Sequence, residues 1–289
     1  MENSTIINPS EQLLVSVNLS TELEPLVLTE PQLSCPVIHT LAPKMYIREV
    51  HLPKGAFILG NYHTTLHQNI MLKGELDLIH EDGSATRIVA PYMCTGSIGR
   101  KMAFIIEDTV WLNLFSVEDE EQDIEVLEAR FMDRSEAFLQ ARDSAKVTPL
   151  EDIEDFSYFL ECFQLDRETV QAIPEDTSDL IKLPYGSYKF KIADSTIAGK
   201  GVFATANIAS GELIGASRIG NKRTSLGRYL NHAKEPNATM IRVGEDILLI
   251  ATKELLGCFG GLDGEEITVN YADVLQVTHL ANAVSEDLK

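Results

Sequence analysis

The sequence predicts a mainly β protein in which two β-rich parts are joined by a helical connector. Three observations carry this. From His39 to Val117, short apolar runs recur between turn signals. From 118 to 180, apolar residues repeat at spacings of three, four and seven. After Pro184, strand-like alternation returns. Many short strands with such punctuation imply an antiparallel sandwich or barrel, and the change of period marks the helices. A chain of 289 residues, 44% hydrophobic and 24% charged, is long enough for two cored domains.

Residues 1–38 hold short apolar patches without sustained period and prolines at 9, 25, 31 and 36, which predicts an extended arm with room for one strand. In 39–117 the expected strands are "MYIREVHL", "GAFILG", "HQNIML", "GELDLIH", "TRIVAP", "MAFIIE" and "VWLNLFSV". The turns between them are expected at Pro53-Lys54-Gly55, Lys73-Gly74 and Glu81-Asp82-Gly83. In 118–180, Ile124, Leu127, Phe131, Phe138 and Leu139 share one helical face, and Ile153, Phe156, Phe159, Leu160 and Phe163 share another. Thr148-Pro149 and Asp166 read as helix starts. The aromatic stripes read as core or interdomain contact. In 181–289, Gly199-Lys200-Gly201 sits between two strand pieces. Neither a phosphate-binding loop nor a dinucleotide fingerprint surrounds it.

Charge narrows the function classes. Residues 1–180 hold 12 basic and 32 acidic residues, the whole of the net −20, whereas 181–289 is neutral with 12 of each. Within 118–180 there are 5 basic and 20 acidic residues. A nucleic-acid partner needs a basic footprint, so none is expected. The acidic connector either serves solubility or steers a basic partner. No 18-residue apolar window exists and the N-terminus lacks a basic start, so neither a membrane partner nor a signal peptide is expected. Cys35, Cys94, Cys162 and Cys258 form no CxxC pair, which predicts free thiols in a cytoplasmic protein.

The stretch "PKGAFILGNYHTTLHQNIMLKGELDLIHEDG", followed by "APYMCTGSIGRKMAFIIEDTVWLNLF", resembles the two motifs of the cupin family, which implies an N-terminal cupin-like β-barrel. Cupins often hold a metal with converging histidines. Here His63 and His67 are the only candidates, the usual His-x-His is absent, and the second motif has no histidine. Two histidines fall short of the three or four ligands a metal needs, so no metal is expected.

Three further pieces, "GKGVFATANIASGELI", "GRYLNHAKEPNATM" and "GEEITVNYAD", occur in the order found in the SET domain family of S-adenosylmethionine-dependent protein lysine methyltransferases. The resemblance covers about residues 183–273, a third of the chain. It implies a β-rich knotted fold in which the Asn231-His232 segment threads a loop formed by the last piece. It also implies a cofactor site with Asn231 at the methionine end and the His232 backbone at the adenine. Lys200, Gly201 and Val202 would add backbone contacts, and Arg228 and Tyr229 would brace the segment. Tyr271 is the catalytic candidate, and a lysine-containing, basic protein is the expected substrate.

The sequence departs from that family at the substrate side. Only 13 residues separate Ile214 from Arg228, none of them aromatic, and the tail after Tyr271 lacks both aromatic residues and cysteine. Leu275, Val277 and Leu280 as a short cover, or a second subunit in a homo-oligomer, are the expected ways to close the channel, with Phe259 a candidate wall. The competing expectation is a non-enzymatic scaffold that keeps the SET fold. A third is a small-molecule or metal-dependent enzyme in the cupin-like part.

Overall fold

The computed structural model describes residues 9–80, 82–144 and 150–286. Strand accounts for 43% and helix for 22%, so the molecule is mainly β as expected. The first element departs from expectation. Residues 9–29, expected to be extended, form helix α1 (Pro9–Thr29). Pro9 opens it, where a missing N–H costs nothing, and Pro31 follows its end. The segment has no strong apolar face, which is why periodicity missed it. Thr148-Pro149 lies outside the described residues.

The N-terminal strands are β1 (Val37–Ala42), β2 (Met45–Leu52), β3 (Phe57–Leu59), β4 (Tyr62–His63), β5 (His67–Ile79), β6 (Ala85–Val89), β7 (Tyr92–Gly96) and β8 (Met102–Ser116). Two pairs of expected strands are fused. "HQNIML" and "GELDLIH" are both part of β5, and "MAFIIE" and "VWLNLFSV" are both part of β8. The Lys73-Gly74 turn is instead a bulge within β5, where the β5–β8 register shifts. Gly74 has φ +103°, and a Cβ there would overlap Thr109, so glycine is required.

The acidic segment gives α2 (Ile124–Phe131), β9 (Met132–Asp133), α3 (Glu136–Ser144), α4 (Leu150–Cys162) and α5 (Arg167–Ala172). Asp123 caps α2 by accepting the N–H groups of Glu125 and Val126. The C-terminal part contains β10 (Gly186–Tyr188), β11 (Phe190–Asp194), β12 (Lys200–Ala204), β13 (Leu213–Ile219) and β14 (Lys222–Arg223). It continues with α6 (Ser225–Arg228), β15 (Asn231–His232), β16 (Ala238–Val243), β17 (Asp246–Ala251), β18 (Glu266–Val269) and α7 (Tyr271–Glu286).

Four sheets result. The largest runs β10-β1-β2-β8-β5-β6, with β3 also on β8 and β7 also on β5. It does not close, which corrects the expected barrel. Its order places β10, from the C-terminal part, on the edge of the N-terminal strands: His39 pairs with Tyr188 and Leu41 with Gly186. The other sheets are β11-β12-β18-β15, β14-β13-β17-β16 and the pair β4-β9.

One apolar cluster joins the expected parts. It includes Tyr46 and Phe115 from the N-terminal strands, Ile124 and Leu127 from α2, and Phe190, Val202 and Ile267 from the C-terminal strands. Glu128 of α2 is buried beside it and is reached by Arg134 at 3.0 Å and Arg48 at 3.5 Å. Burial alone would neutralise Glu128, but Arg134, followed by His39, Lys191 and Arg48, outweighs it and holds the carboxyl well below the usual range.

Candidate functional site

The sheet β11-β12-β18-β15 brings the three sequence pieces together. Strands β11 and β12 form a hairpin closed by Gly199, whose φ is +49° and whose carbonyl accepts the Ser195 N–H at 2.8 Å. In β12, Val202 pairs with Ile267 of β18, antiparallel. On the other side of β18, Asn231 pairs with Thr268 and His232 with Val269, parallel. Tyr271 follows β18 after one residue and opens α7.

Polar side chains in "NHAKEPN" hold this junction. Asn237 behaves as an extra backbone unit: its amide donates to the Glu266 carbonyl at 2.7 Å, and its oxygen accepts the Thr268 N–H at 2.8 Å. Buried Asn231 reaches across to the glycine turn, donating to the carbonyls of Ala198 (3.2 Å) and Lys200 (3.1 Å) and to Glu266 Oε1 (2.7 Å). Unpaired buried amides cost about 1–3 kcal/mol each, so these partners fix the geometry. His232 is also buried. Its Nδ1 accepts the Tyr271 backbone N–H at 3.2 Å, which leaves the ring proton on Nε2, 2.9 Å from Asp155 Oδ2.

Tyr271 donates its hydroxyl proton to the Leu230 carbonyl at 2.9 Å. Burial, with Glu266 adding to it, pushes its phenol up to about 12, so it is neutral at physiological pH. Rings from α4 surround it. Phe156 and Phe159 meet Tyr271 edge-on at 6.0 and 5.7 Å, and His232 lies 5.2 Å away. Phe159 also stacks on His232 at 5.8 Å. Such ring pairs contribute about 0.5–1.5 kcal/mol beyond burial.

The remaining candidates divide. Val202 is fully buried. Gly201 lies under Glu266, whose carboxylate would overlap a Cβ at that position, so the close approach requiring glycine is made by the chain itself. Lys200 forms an ion pair with Glu125 of α2 and lies 5.9 Å from the Tyr229 ring. Arg228 donates to the Pro174 carbonyl, and its guanidinium sits 5.0 Å from the Tyr229 ring. Phe259 bridges to Ser34 and is not a wall of the cleft described next.

A cleft of about 250 Å³ reaches Tyr271 between α5, α6 and α7. Phe159, Ile173, Leu230, Met240 and Val274 give it apolar walls, and Arg228 lies in its lining. Leu275 and Thr278 of α7 also line it; Val277 of the expected cover does not, and the Leu280 side chain lies outside the described residues. Phe156, Phe159 and Asp155 were not among the residues expected at the site. Their only signal was the aromatic stripe of α4, which a core helix would show equally.

Among the N-terminal strands, the rings of His63 on β4 and His67 on β5 stack at 4.2 Å. Among the described residues, no group of three or more histidine, cysteine, aspartate or glutamate side chains is placed to hold a metal. No helix of the described residues is long and apolar enough to cross a membrane.

No protein-family model matches the chain, and no curated protein matches it. Among solved structures, the chain is similar to a cupin family protein with a double-stranded β-helix fold from Methanocaldococcus jannaschii. That match has 18% identity and a TM-score of 0.25, covering 29% of this chain and 80% of the other. Ectoine synthase from P. lautus matches at 14% identity and a TM-score of 0.26, covering 33% and 75%. The polyketide cyclase RemF from Streptomyces resistomycificus matches at 15% identity and a TM-score of 0.25, covering 30% and 70%. The cupin resemblance is therefore weak and partial, and these comparisons lend no support to a SET relationship.

Proposed function

We propose that the chain is an S-adenosylmethionine-dependent protein-lysine methyltransferase of the SET type, with Tyr271 as the catalytic residue. The observation that carries this reading is the convergence of three distant segments on one point. Asn231 hydrogen-bonds to the Lys200 carbonyl of the glycine turn, and Tyr271 hydrogen-bonds to the carbonyl of Leu230, beside Asn231.

The cleft lining fits the cofactor in kind. Arg228 is a cation for its carboxylate, and Phe159 and Tyr271 are ring surfaces. Lys200, Gly201 and Val202 lie on β12 and His232 on β15, outside that lining. When bound, S-adenosylmethionine supplies an electrophilic methyl group. The chain's own part is chiefly positioning, because amine, methyl carbon and sulfur must lie near one line. The apolar walls disfavour the charged form of a substrate lysine, whose free pKa is about 10.4, and so favour the nucleophilic neutral amine. Tyr271, donating to Leu230, keeps its oxygen lone pairs as acceptors toward the cleft. In place of a longer insert, the apolar walls are Phe159 of α4 and, from the tail itself, Val274 and Leu275 of α7.

A second reading, a scaffold that keeps this fold, is favoured by one observation. The side chains of Asn231 and His232 and the face of Gly201 are all engaged within the chain. Transfer of labelled methyl groups to lysine-rich proteins, compared between wild type and Tyr271→Phe, tests the enzyme. Transfer lost in the variant is the expected result. No transfer by wild type under any substrate, with no cofactor binding, leaves the scaffold.

A further inference from the structure

A second cavity, of about 120 Å³, lies within the N-terminal sheet, away from Tyr271. Its walls are mostly apolar: Leu52, Ile58, Leu76, Leu78, Ala103 and Trp111. Two cations, Arg48 and Lys101, line it together with His63, and among the described residues no carboxylate does. That is unexpected in a chain of net charge −20. Buried cations normally come with a counter-charge, since desolvating an ammonium alone costs several kcal/mol.

Of the cavity's other polar side chains, His63 keeps a buried Nδ1 without a partner, while those of Trp111, Asn113 and Asn61 are engaged. Trp111 Nε1 and Asn113 Nδ2 both donate to Asn69 Oδ1, at 3.3 and 2.7 Å, and Asn61 Nδ2 is directed at the Met132 sulfur. Lys101 is different. Its Nζ is shielded from solvent and has no hydrogen-bond partner, and Arg48 Nε has none either. Glu128, 3.5 Å from Arg48, is shared with Arg134, so it does not neutralise both guanidinium groups. Burial, then His67, Arg48 and Lys101, lower His63 to about 3, so His63 adds no positive charge but registers the cations beside it.

We propose that this cavity binds a small organic carboxylate, its carboxyl group between Lys101 and Arg48 and its short apolar body against Trp111 and the leucines. Inorganic phosphate would meet the same cations but leave the apolar walls uncovered. An alcohol or amine of the same length would cover the walls but leave Lys101 unpaired. This inference does not depend on the methyltransferase reading.

The test is calorimetric titration of the full chain with hexanoate, hexanol, hexylamine and phosphate. Saturable binding of hexanoate, at least about tenfold tighter than each of the other three, is expected. It should fall about 10-fold or more in Lys101→Met, the range of a charge-assisted hydrogen bond. Lys101→Met removes an unpaired buried charge, so a fold retained by circular dichroism is expected. Ala103→Leu, which fills the cavity from another wall, should also abolish binding. No hexanoate binding by wild type, equal binding of hexanol or phosphate, or unchanged affinity in folded Lys101→Met would each overturn the proposal.

Discussion

The hydroxyl of Tyr271 donates to Leu230 at 2.9 Å while its ring packs against Phe156, Phe159 and His232. Replacing Tyr271 with Phe keeps the ring and removes one hydrogen bond, so stability should fall by only about 1 kcal/mol in denaturant melts. A loss far above that would mean that the hydroxyl serves the fold instead of the reaction. Phe159→Ala should behave differently. Phe159 is buried and touches both His232 and Tyr271, so about 3–5 kcal/mol should be lost, with His232 exposed. At this scale the sequence was informative where chemistry dictates residue type. Asn231 and His232 stood out as a polar pair in an ordered segment and Tyr271 through the SET resemblance, and the three are in contact in the fold. Phe156 and Phe159 were not legible, because an aromatic stripe looks the same over a core and over a site. Glu266, which covers Gly201 and accepts from Asn231, was hidden in an ordinary acidic pair.

Helix α2 carries the first part of the expected face, with Ile124, Leu127 and Phe131 all buried, but β9 breaks the run and Phe138 and Leu139 belong to the separate helix α3. Helix α2 also places Glu128 under Arg134 and Arg48. Removing that charge with Glu128→Gln leaves two partly buried arginines without their buried carboxylate and should destabilise by about 3 kcal/mol. The folded pKa of Glu128 is depressed, so its contribution is fully present above the unfolded value near 4.5. It is lost as pH falls toward the folded value. Equilibrium unfolding between pH 3 and 7 should therefore show less acid sensitivity in Glu128→Gln than in wild type; parallel curves would contradict this. Strand β5 gives the opposite lesson. Lys73-Gly74 carried a turn signal, yet the strand continues through it as a bulge beside Thr109. Gly74→Ala adds both a clash and a strained φ, so a cost of about 1–3 kcal/mol or more is expected in thermal melts. Composition cannot separate a glycine that ends a strand from one that bends it.

Across the whole molecule, the β-rich character and helical middle were legible, and the joins were not. Strand β10 extends the N-terminal sheet by pairing with β1, and the Cys258 thiol donates to carbonyls of Cys35 and Thr205 at 3.1 and 3.0 Å. Such long-range pairings have no periodic signature. They predict that unfolding is one cooperative transition rather than two, checked by comparing near- and far-ultraviolet circular dichroism melts. Two separated midpoints would show that the parts fold independently. Helix α4 lays Phe156 and Phe159 against Tyr271, so the acidic middle segment borders the candidate site as well as connecting the sheets.

The central claim, that the convergence at Asn231 and Tyr271 is a methyl-transfer site, is tested most directly by calorimetric titration of the full chain. The ligands are S-adenosylmethionine and S-adenosylhomocysteine, with Arg228→Ala and Asn231→Ala beside the wild type. Saturable binding by wild type, weakened in folded forms of both variants, is the predicted result. No heat of binding at millimolar ligand would contradict the enzyme and leave the converged segments as the framework of a scaffold.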